Sequence, residues 1–292
     1  MTPRECLTYN GPATSAQLSH LRSLLFAPGS DERKLARALV SEADGVIADL
    51  EDAVAPGEKD AARALVARVL SETETSCARL VRINGTDTPW WRDDLAAIAG
   101  LPLDALVVPK ATPSALQVLE DTGPPIVAIV ETAQGLRIAY ETSGAPRVAA
   151  LTLGAADLGA ELRLEPRADG LEILFARSKV VVDSAAAGLR PPFDVVHLDT
   201  RDDEGLEAET LLARSLGFGG KMCIHPAQVG IVNRAFAPSP EQIEWARAVV
   251  ATYEEGIRES RGAVALDGEL VDLPVVERAR TILATAERTP PL

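Results

Sequence analysis

Short apolar segments alternate with longer amphipathic segments from about residue 23 to residue 224. The short segments are four to six residues long and rich in Val, Ile, Leu and Ala, which is typical of buried β-strands. The strands are predicted at residues 23–27, 45–50, 79–83, 105–109, 126–131, 149–153, 194–198 and 221–224. The longer segments predict helices at residues 31–42, 58–71, 90–99, 113–120, 133–141, 171–187 and 204–216.

The fifth predicted strand is apolar on both faces, as expected of a parallel strand that helices cover. Eight strands in alternation with helices predict an α/β fold, a closed (β/α)₈ TIM barrel. The main alternative is an open doubly wound sheet, which usually carries a glycine-rich phosphate turn after its first strand. That turn reads Ala27-Pro28-Gly29-Ser30 here, and the chain contains no nucleotide-binding glycine motif, so the barrel is favoured.

Residues 238–292 exceed what a barrel needs. They predict a helix at 241–259, a hairpin turn at Asp267-Gly268 and a last helix at about 274–286. This segment is expected to lie on the barrel, to close it as a lid or to contact a neighbouring chain. The expected organisation is a flexible leader at 1–20, a catalytic TIM barrel at 21–237 and a C-terminal helical extension and lid at 238–292.

The composition of the chain excludes several classes of function. The 292 residues carry a formal net charge of −14, which disfavours binding to nucleic-acid phosphates. No apolar segment approaches the ~18 residues of a membrane span, and the N-terminus lacks the apolar stretch of a secretory signal. Cys6, Cys77 and Cys223 lie far apart, which fits a reducing cytoplasm better than a disulfide framework. We therefore expect a cytoplasmic protein that acts on small molecules.

Ionisable side chains stand at or just after the ends of the predicted strands. In a (β/α)₈ barrel these ends meet at one mouth, where the chemistry takes place. In chain order from the second strand, these residues are Asp49, Glu51, Asp52, Arg82, Lys110, Glu131, Asp157, Asp199 and His225. The alternative for any one of them is a solvent-exposed charge, but the whole set predicts a common site.

Glu131 and Asp157 are the sharpest pair, because each follows an apolar strand without a cationic neighbour in sequence. Two carboxylates on adjacent strands are able to bind one Mg²⁺, which prefers oxygen ligands and keeps several waters. The alternative is that Asp157 caps a turn and that Glu131-Thr132 begins a helix.

Arg82 lies near the end of the third strand and must be paired, since an unpaired buried arginine is costly. Its planar fork suits a substrate carboxylate. The alternative is a structural ion pair with Glu51 or Asp52, and both roles are compatible. His197 and His225 are interpreted as packing histidines.

Seven segments in order resemble the citrate lyase beta-subunit-like branch of the HpcH/HpaI aldolase superfamily. They are residues 21–29 (LRSLLFAPG), 48–54 (ADLEDAV), 81–84 (VRIN), 108–110 (VPK), 130–135 (VETAQG), 154–157 (GAAD) and 220–226 (GKMCIHP). The resemblance spans about residues 22–286. It implies a Mg²⁺-dependent carbon–carbon lyase on a TIM barrel that assembles as a homotrimer or a multiple of one. The implied substrates are acyl thioesters of 3-hydroxy-dicarboxylic acids, such as malyl, citramalyl or citryl thioesters, and keto acids.

The resemblance also implies residue roles. Glu131 and Asp157 match metal ligands, with Glu131 also close to the substrate, and Arg82 matches the substrate-binding arginine. Glu51 and Asp52 match acids that brace this arginine and the waters of the metal. Asp272, in a segment similar to a lid motif whose aspartate reaches a neighbouring subunit's site, is the candidate acid/base. Ala156 departs from relatives, which often carry Glu there.

Arg22 and Arg177 are candidates for contacting the phosphates of the thioester arm. Two other functions stay open at this point. One is an aldolase that acts on free 2-keto acids without CoA, and the other is a non-catalytic subunit of a lyase complex.

Overall fold

Eight parallel strands close into a barrel in chain order, from β1 next to β2 around to β8 next to β1. The computed structural model describes residues 18–119, 123–259 and 262–288. The strands are β1 Ser23–Pro28, β2 Gly45–Asp49, β3 Ala78–Arg82, β4 Ala105–Val108, β5 Ile126–Val130, β6 Val148–Leu153, β7 Phe193–Asp194 and β8 Gly220–Cys223. The predicted (β/α)₈ TIM barrel is confirmed.

Helices follow the strands and cover the barrel. They are α1 Glu32–Leu39, α2 Lys59–Glu72, α3 Trp91–Ile98, α4 Pro113–Gln117, α5 Ala133–Arg137, α6 Ala139–Ser143, α7 Ala155–Leu162, α8 Leu174–Ala186, α9 Asp203–Leu216 and α10 Pro226–Phe236. Side-chain caps begin several of them: Asp31, Thr112, Thr132 and Asp202 each accept a hydrogen bond from the first turn of the helix that follows.

The strand period of two places one face of each strand inside the barrel. Leu24, Ile47, Leu80, Val127 and Ile129 share one buried core. One step further along the same faces stand Phe26, Asp49, Arg82 and Glu131. The apolar filling of the barrel therefore ends in a polar layer at the carboxyl ends of the strands, where these residues form the candidate site.

The chain divides into two compact units, with the division between Asn233 and Arg234. The second unit contains helix α11 Pro240–Arg258, a hairpin of β9 Val264–Leu266 and β10 Glu269–Val271, and helix α12 Leu273–Arg288. Asp267 and Gly268 both adopt positive φ, as a two-residue hairpin turn of this kind requires, and the predicted hairpin is confirmed. The hydrophobic core of this second unit includes Val249, Val264 and Val276.

Three local predictions were wrong. The seventh strand has two residues instead of five, the segment after β6 contains the unpredicted helix α7, and the fifth helix is divided into α5 and α6. Residues 1–17 of the predicted leader lie outside the described residues. Leu18, also assigned to the leader, is buried in the barrel core, so the packed barrel begins before residue 21. No helix in the described part of the chain is long and apolar enough to span a membrane.

Candidate functional site

Arg82 occupies the end of β3 and is held by acids of the neighbouring β2 and the loop after it. Its Nε and Nη2 donate to the two carboxylate oxygens of Asp49 at 2.7 and 2.6 Å. Nη1 lies 2.9 Å from Glu51 Oε2 and 3.6 Å from the exposed Asp52 carboxylate. The guanidinium also stacks over the Phe26 ring, 4.9 Å from its centroid. Arg82 is thus fixed in one orientation at the mouth of the barrel.

The ionisation of Arg82 follows from these contacts. Burial acts to lower the pKa of Arg82, but the hydrogen bonds and charge of Asp49 outweigh it, and the pKa is raised overall. Asp49 also accepts hydrogen bonds from the main-chain N–H groups of Glu51 at 2.9 Å and Ala53 at 3.1 Å. The Asp49 carboxylate therefore links the arginine to the main chain of the loop after β2.

Glu51 is buried beside Arg82, and its Oε2 lacks a hydrogen bond of normal geometry despite the short distance to Nη1. Burial raises the pKa of Glu51 to about 8, because the attraction of Arg82 does not compensate fully. A buried carboxylate oxygen without a hydrogen-bond donor is a natural acceptor for a water or a ligand. Glu51 is therefore placed to accept a hydrogen bond from a water or a ligand that enters the site.

Glu131 directly follows β5 and is buried. Its Oε1 accepts a hydrogen bond of 2.7 Å from the main-chain N–H of Lys110, a residue that adopts the left-handed conformation with φ 47°. Burial and, to a smaller extent, the negative charge of Asp157 raise the pKa of Glu131 to about 7, although the Lys110 hydrogen bond acts to lower it. Glu131 follows β5 and Asp157 follows the neighbouring strand β6, so both carboxylates stand at the same end of the barrel.

Asp157 lies on the exposed first turn of α7, which follows β6. The cap of this helix is Gly154, and the cap of α5 is Thr132, whose side chain accepts from Gly135 N–H at 2.9 Å. The alternative interpretation is thus confirmed in part: Glu131-Thr132 does begin α5, but the Thr132 hydroxyl and not the Glu131 carboxylate caps it, and Asp157 is not the cap of α7. Both carboxylates remain available for other ligands.

These residues fit a divalent cation. The charges of neighbouring carboxylates contribute to the raised pKa of Glu51 and of Glu131, so a bound cation would stabilise the ionised form of both. No group of three or more metal-ligating side chains occurs in the described residues. Mg²⁺ is usually bound through one or two carboxylates and completes its shell with waters and substrate oxygens, so Glu131 and Asp157 offer the type of ligand that it needs. The orphaned Glu51 oxygen suits a metal-bound water.

Gly154 leaves the room that the Glu131 carboxylate occupies. A Cβ at this position would lie 2.5 Å from both Cβ and Oε2 of Glu131. Gly154→Ala is therefore expected to displace Glu131 and to weaken Mg²⁺ binding about 10- to 100-fold, as loss of a supporting contact does at other metal sites. Calorimetric titration of Mg²⁺ measures this effect. Gly159→Ala on α7, where an added Cβ meets no atom within 4 Å, is the control and should bind Mg²⁺ normally.

The structure places the two arginines proposed for the thioester arm elsewhere. Arg22 precedes β1, at the opposite end of the barrel from Arg82, and forms a bidentate ion pair with Asp44 at 2.9 and 3.0 Å. Arg177 is fully buried and donates to both carboxylate oxygens of Asp194 at 2.9 Å and to Glu209 at 2.7 Å. Neither has the free guanidinium expected of a phosphate ligand, so the structure does not support a contact of Arg22 or Arg177 with the thioester phosphates.

Asp272 belongs to the second unit and lies between β10 and α12. Its carboxylate accepts a hydrogen bond of 3.4 Å from Val275 N–H, in the position of a helix cap. The structure thus gives Asp272 a local role that the sequence did not indicate.

Asp49 was predicted among the charges at the strand ends but not as the partner of Arg82, whereas Gly154 and the main chain of Lys110 were missed as parts of the site. The pairing of Asp49 could have been found, because it stands at the last position of β2, in register with Arg82 at the last position of β3. The contacts of Gly154 and the φ of Lys110 depend on the folded backbone, and no sequence pattern indicates them.

The chain was compared with known proteins. Residues 22–226 match the family model described as HpcH/HpaI aldolase/citrate lyase. A (3S)-malyl-CoA thioesterase of Cereibacter sphaeroides is 40% identical over 275 residues, which cover 93% of this chain and 96% of that protein. Citrate lyase subunit beta of Escherichia coli K12 is 34% identical over 285 residues, with 91% and 93% covered.

Solved structures agree. CitE from Mycobacterium tuberculosis in complex with magnesium, acetoacetate and coenzyme A superposes with a TM-score of 0.79 at 35% identity, over 92% of this chain and 100% of that one. The citrate lyase beta subunit of the same organism with oxaloacetate and magnesium gives a TM-score of 0.68 at 34% identity, over 76% and 100%. On the evidence of its barrel, its site and these similarities, the chain belongs to the HpcH/HpaI aldolase/citrate lyase family.

Proposed function

We propose that this protein is a Mg²⁺-dependent carbon–carbon lyase that cleaves or forms the acyl thioester of a 3-hydroxy-dicarboxylic acid, with an acetyl thioester and a keto acid as the other partners. The observation that carries the proposal is the polar layer at the mouth of the barrel. There the Arg82 guanidinium, which Asp49 fixes in place, lies at the same end of the barrel as Glu131 and Asp157. The malyl-CoA and citrate lyase relatives support this substrate class.

Glu131 and Asp157 would hold the metal, and Arg82 would bind the keto-acid half of the substrate. Bound Mg²⁺ supplies a Lewis acid for the oxygen atoms of that half. Arg82 is already oriented by Asp49, so its remaining N–H groups offer a substrate carboxylate a fixed fork without a conformational search. Glu51 and Asp52 brace this arginine, and Glu51 also accepts from an entering water.

In the cleavage direction the substrate hydroxyl gives up its proton and its carbon becomes the carbonyl carbon of the keto acid. The carbon–carbon bond breaks, and its electron pair stays on the acetyl thioester as an enolate. The enolate then takes a proton to give the acetyl thioester. In the condensation direction the same carbon loses that proton to a base.

The test of the function is a product analysis with purified protein and Mg²⁺. Malyl-CoA is expected to yield acetyl-CoA and glyoxylate, and chelation of the metal should stop the reaction. Two outcomes would favour the other functions that the sequence left open. Turnover of pyruvate with aldehydes but not of thioesters would indicate an aldolase on free keto acids, and absence of Mg²⁺ binding would indicate a non-catalytic subunit.

A thioesterase is the second candidate, because the relative from Cereibacter sphaeroides carries that name at 40% identity. Hydrolysis of malyl-CoA releases free CoA and malate and leaves the carbon–carbon bond intact. Detection of a free thiol without glyoxylate therefore separates the thioesterase from the lyase. Formation of malyl-CoA from acetyl-CoA and glyoxylate would support the lyase in the same way.

Magnesium binding is expected to depend on pH through Glu131. Its pKa is raised to about 7, so the carboxylate is largely protonated below this pH, and the metal must displace a proton. Affinity should therefore fall about tenfold for each pH unit below 7 and level off above it. Calorimetry across this range checks the prediction, and an affinity that does not change between about pH 5.5 and pH 7 would contradict it.

Asp272 is proposed as the acid/base for the enolate carbon. Asn caps a helix as well as Asp does, so Asp272→Asn should keep the capping contact to Val275 while it removes the proton-transfer group. We expect a turnover rate lower by about 100-fold or more with an unchanged melting temperature. Exchange of the methyl protons of acetyl-CoA with deuterated water reports on this step directly. Normal exchange in the variant would remove Asp272 from the mechanism.

We further propose that the protein works in a reducing compartment, the cytoplasm, as a homotrimer or a multiple of one. Cys77 and Cys223 are both buried and free, which suits a compartment where disulfides do not form. Light scattering coupled to size-exclusion chromatography determines the assembly.

A further inference from the structure

Lys59 carries a buried ammonium group beneath the loop that follows β2. It is the first residue of α2, and its side chain is turned away from solvent. Its Nζ donates to the carbonyl oxygens of Leu50 at 2.7 Å and Glu51 at 2.8 Å, and lies 5.2 Å from the centroid of the Trp90 ring. The ammonium thus binds two consecutive carbonyls of the loop that carries Glu51.

The environment of Lys59 is unusual for a buried charge. In the described part of the chain, its ammonium forms no ion pair with a carboxylate. Burial lowers the pKa of Lys59, although the charges of Asp49, Asp94, Glu51 and Asp52 act in the opposite direction. An unpaired buried charge reduces stability, and an apolar side chain of similar size would avoid this penalty. Packing alone therefore does not account for a lysine here, whereas two strong acceptors on the adjacent loop do.

We propose that Lys59 is a positioning residue for the lyase reaction, which acts by fixing the Leu50–Glu51 main chain and so directs the Glu51 carboxylate at Arg82. The orientation of a peptide group sets the direction of the side chains on either side of it. Because Lys59 holds the carbonyls both before and after Glu51, it fixes the point from which that side chain extends towards Arg82. The inference rests on the proposed function.

A second donor supports the same main chain from the other side. Asn84 Nδ2 donates to Leu50 O at 2.9 Å and to Asp94 at 2.7 Å, and Asp94 in turn accepts from Arg63 at 3.2 Å. This arrangement connects the loop to α2 and α3. The Glu51 carbonyl accepts from Lys59 at 2.8 Å and from the main-chain N–H of Val54 at 3.0 Å. Lys59 is thus the contact that ties this carbonyl to α2, and its removal should affect Glu51.

The metal ligands give a reference that should change less. Glu131 and Asp157 follow the strands β5 and β6, whereas the loop that Lys59 contacts follows β2. Lys59→Met is therefore expected to lower kcat/KM about 10- to 100-fold, the usual effect of removing a group that orients a site residue. Its Mg²⁺ affinity, measured by calorimetry, should fall less than its kcat/KM, because Glu131 and Asp157 would hold the metal directly and Glu51 would meet only a metal-bound water.

The decisive measurement is a double-mutant cycle with Glu51→Gln. If Lys59 acts through Glu51, then Lys59→Met should reduce kcat/KM of the Glu51→Gln variant by less than about threefold. Lys34→Met, which changes an exposed lysine on α1, is the control and should leave both backgrounds unaffected. The same loss in both backgrounds, or a lowered melting temperature with unchanged kcat and KM, would show a merely structural lysine and overturn the proposal.

Two further measurements separate a failure of the Lys59 proposal from misfolding of the variant and from failure of the proposed function. If Lys59→Met does not fold, Lys59→Gln keeps one amide donor and takes its place in the cycle. If the wild type lacks lyase turnover, the proposed function fails, but the cycle remains measurable through Mg²⁺-dependent binding of oxaloacetate by calorimetry. Weaker oxaloacetate binding that depends on Glu51 would support the positioning role, and additive losses would overturn it.

Discussion

Glu131→Gln is expected to lower turnover by about 1,000-fold or more, which corresponds to about 4 kcal/mol of transition-state stabilisation. Gln keeps the volume of the side chain and an oxygen that can accept from Lys110 N–H, so the local contact of 2.7 Å survives. It removes the negative charge, which the metal needs and which burial already disfavours. The fold should survive because a neutral group replaces a costly buried charge.

The measurements are turnover of malyl-CoA, Mg²⁺ calorimetry and thermal unfolding on the same preparations. Asp157→Asn should show the same pattern, since it removes the second carboxylate of the pair. Glu141→Gln, on the outer helix α6, changes an exposed glutamate and serves as the control. Normal turnover in both purified variants would reject the assignment of Glu131 and Asp157 as metal ligands.

The free energy of unfolding is also expected to depend on pH. The folded-state pKa of Glu131 is raised, so unfolding releases protons near neutral pH and stability falls as pH rises from about 4.5 towards 7. The Glu131→Gln variant lacks this titrating group. Its stability should therefore depend less on pH than that of the metal-free wild type.

The strands were predictable to within about one residue because each is an apolar segment with a turn on either side, and burial alone marks such segments. β7 shows the limit of this signal. The apolar residues after Asp194 predicted a longer strand, but the main chain there leaves the barrel: His197 O accepts from Gln228 Nε2 at 2.8 Å, and His197 Nδ1 lies 2.7 Å from Glu209. Apolar character reveals burial and does not identify the hydrogen-bond partner.

The site was predictable where it depends on strand ends and unpredictable where it depends on backbone geometry. Arg82, Glu131 and Asp157 could be singled out because barrel strands end at one mouth. The predicted ion pair of Arg82 with Glu51 or Asp52 is confirmed, but the two-bond contact with Asp49 was not predicted. Strand register decides this pairing, and it emerges only when β2 and β3 are aligned.

Arg82→Lys is expected to fold and to lose about 100-fold or more of kcat/KM. Lysine keeps a positive charge for Asp49 and Glu51 but lacks the planar fork that offers a carboxylate two parallel hydrogen bonds. The loss should appear chiefly as weaker binding of the keto acid and a lower kcat. Mg²⁺ affinity should change little because Arg82 is not a metal ligand. Steady-state kinetics in the condensation direction, with glyoxylate varied, separates these effects.

Arg82→Met tests whether the arginine is needed for the chemistry or only for the fold. Alone it leaves the Asp49 charge buried without its partner, and the free energy of unfolding should drop by about 3–5 kcal/mol. Adding Asp49→Asn removes that charge, so the double variant should regain much of the stability in a urea titration. It should remain as inactive as Arg82→Met, because no side chain then binds the substrate carboxylate. Recovery of activity together with stability would show that Arg82 serves the structure and not the substrate.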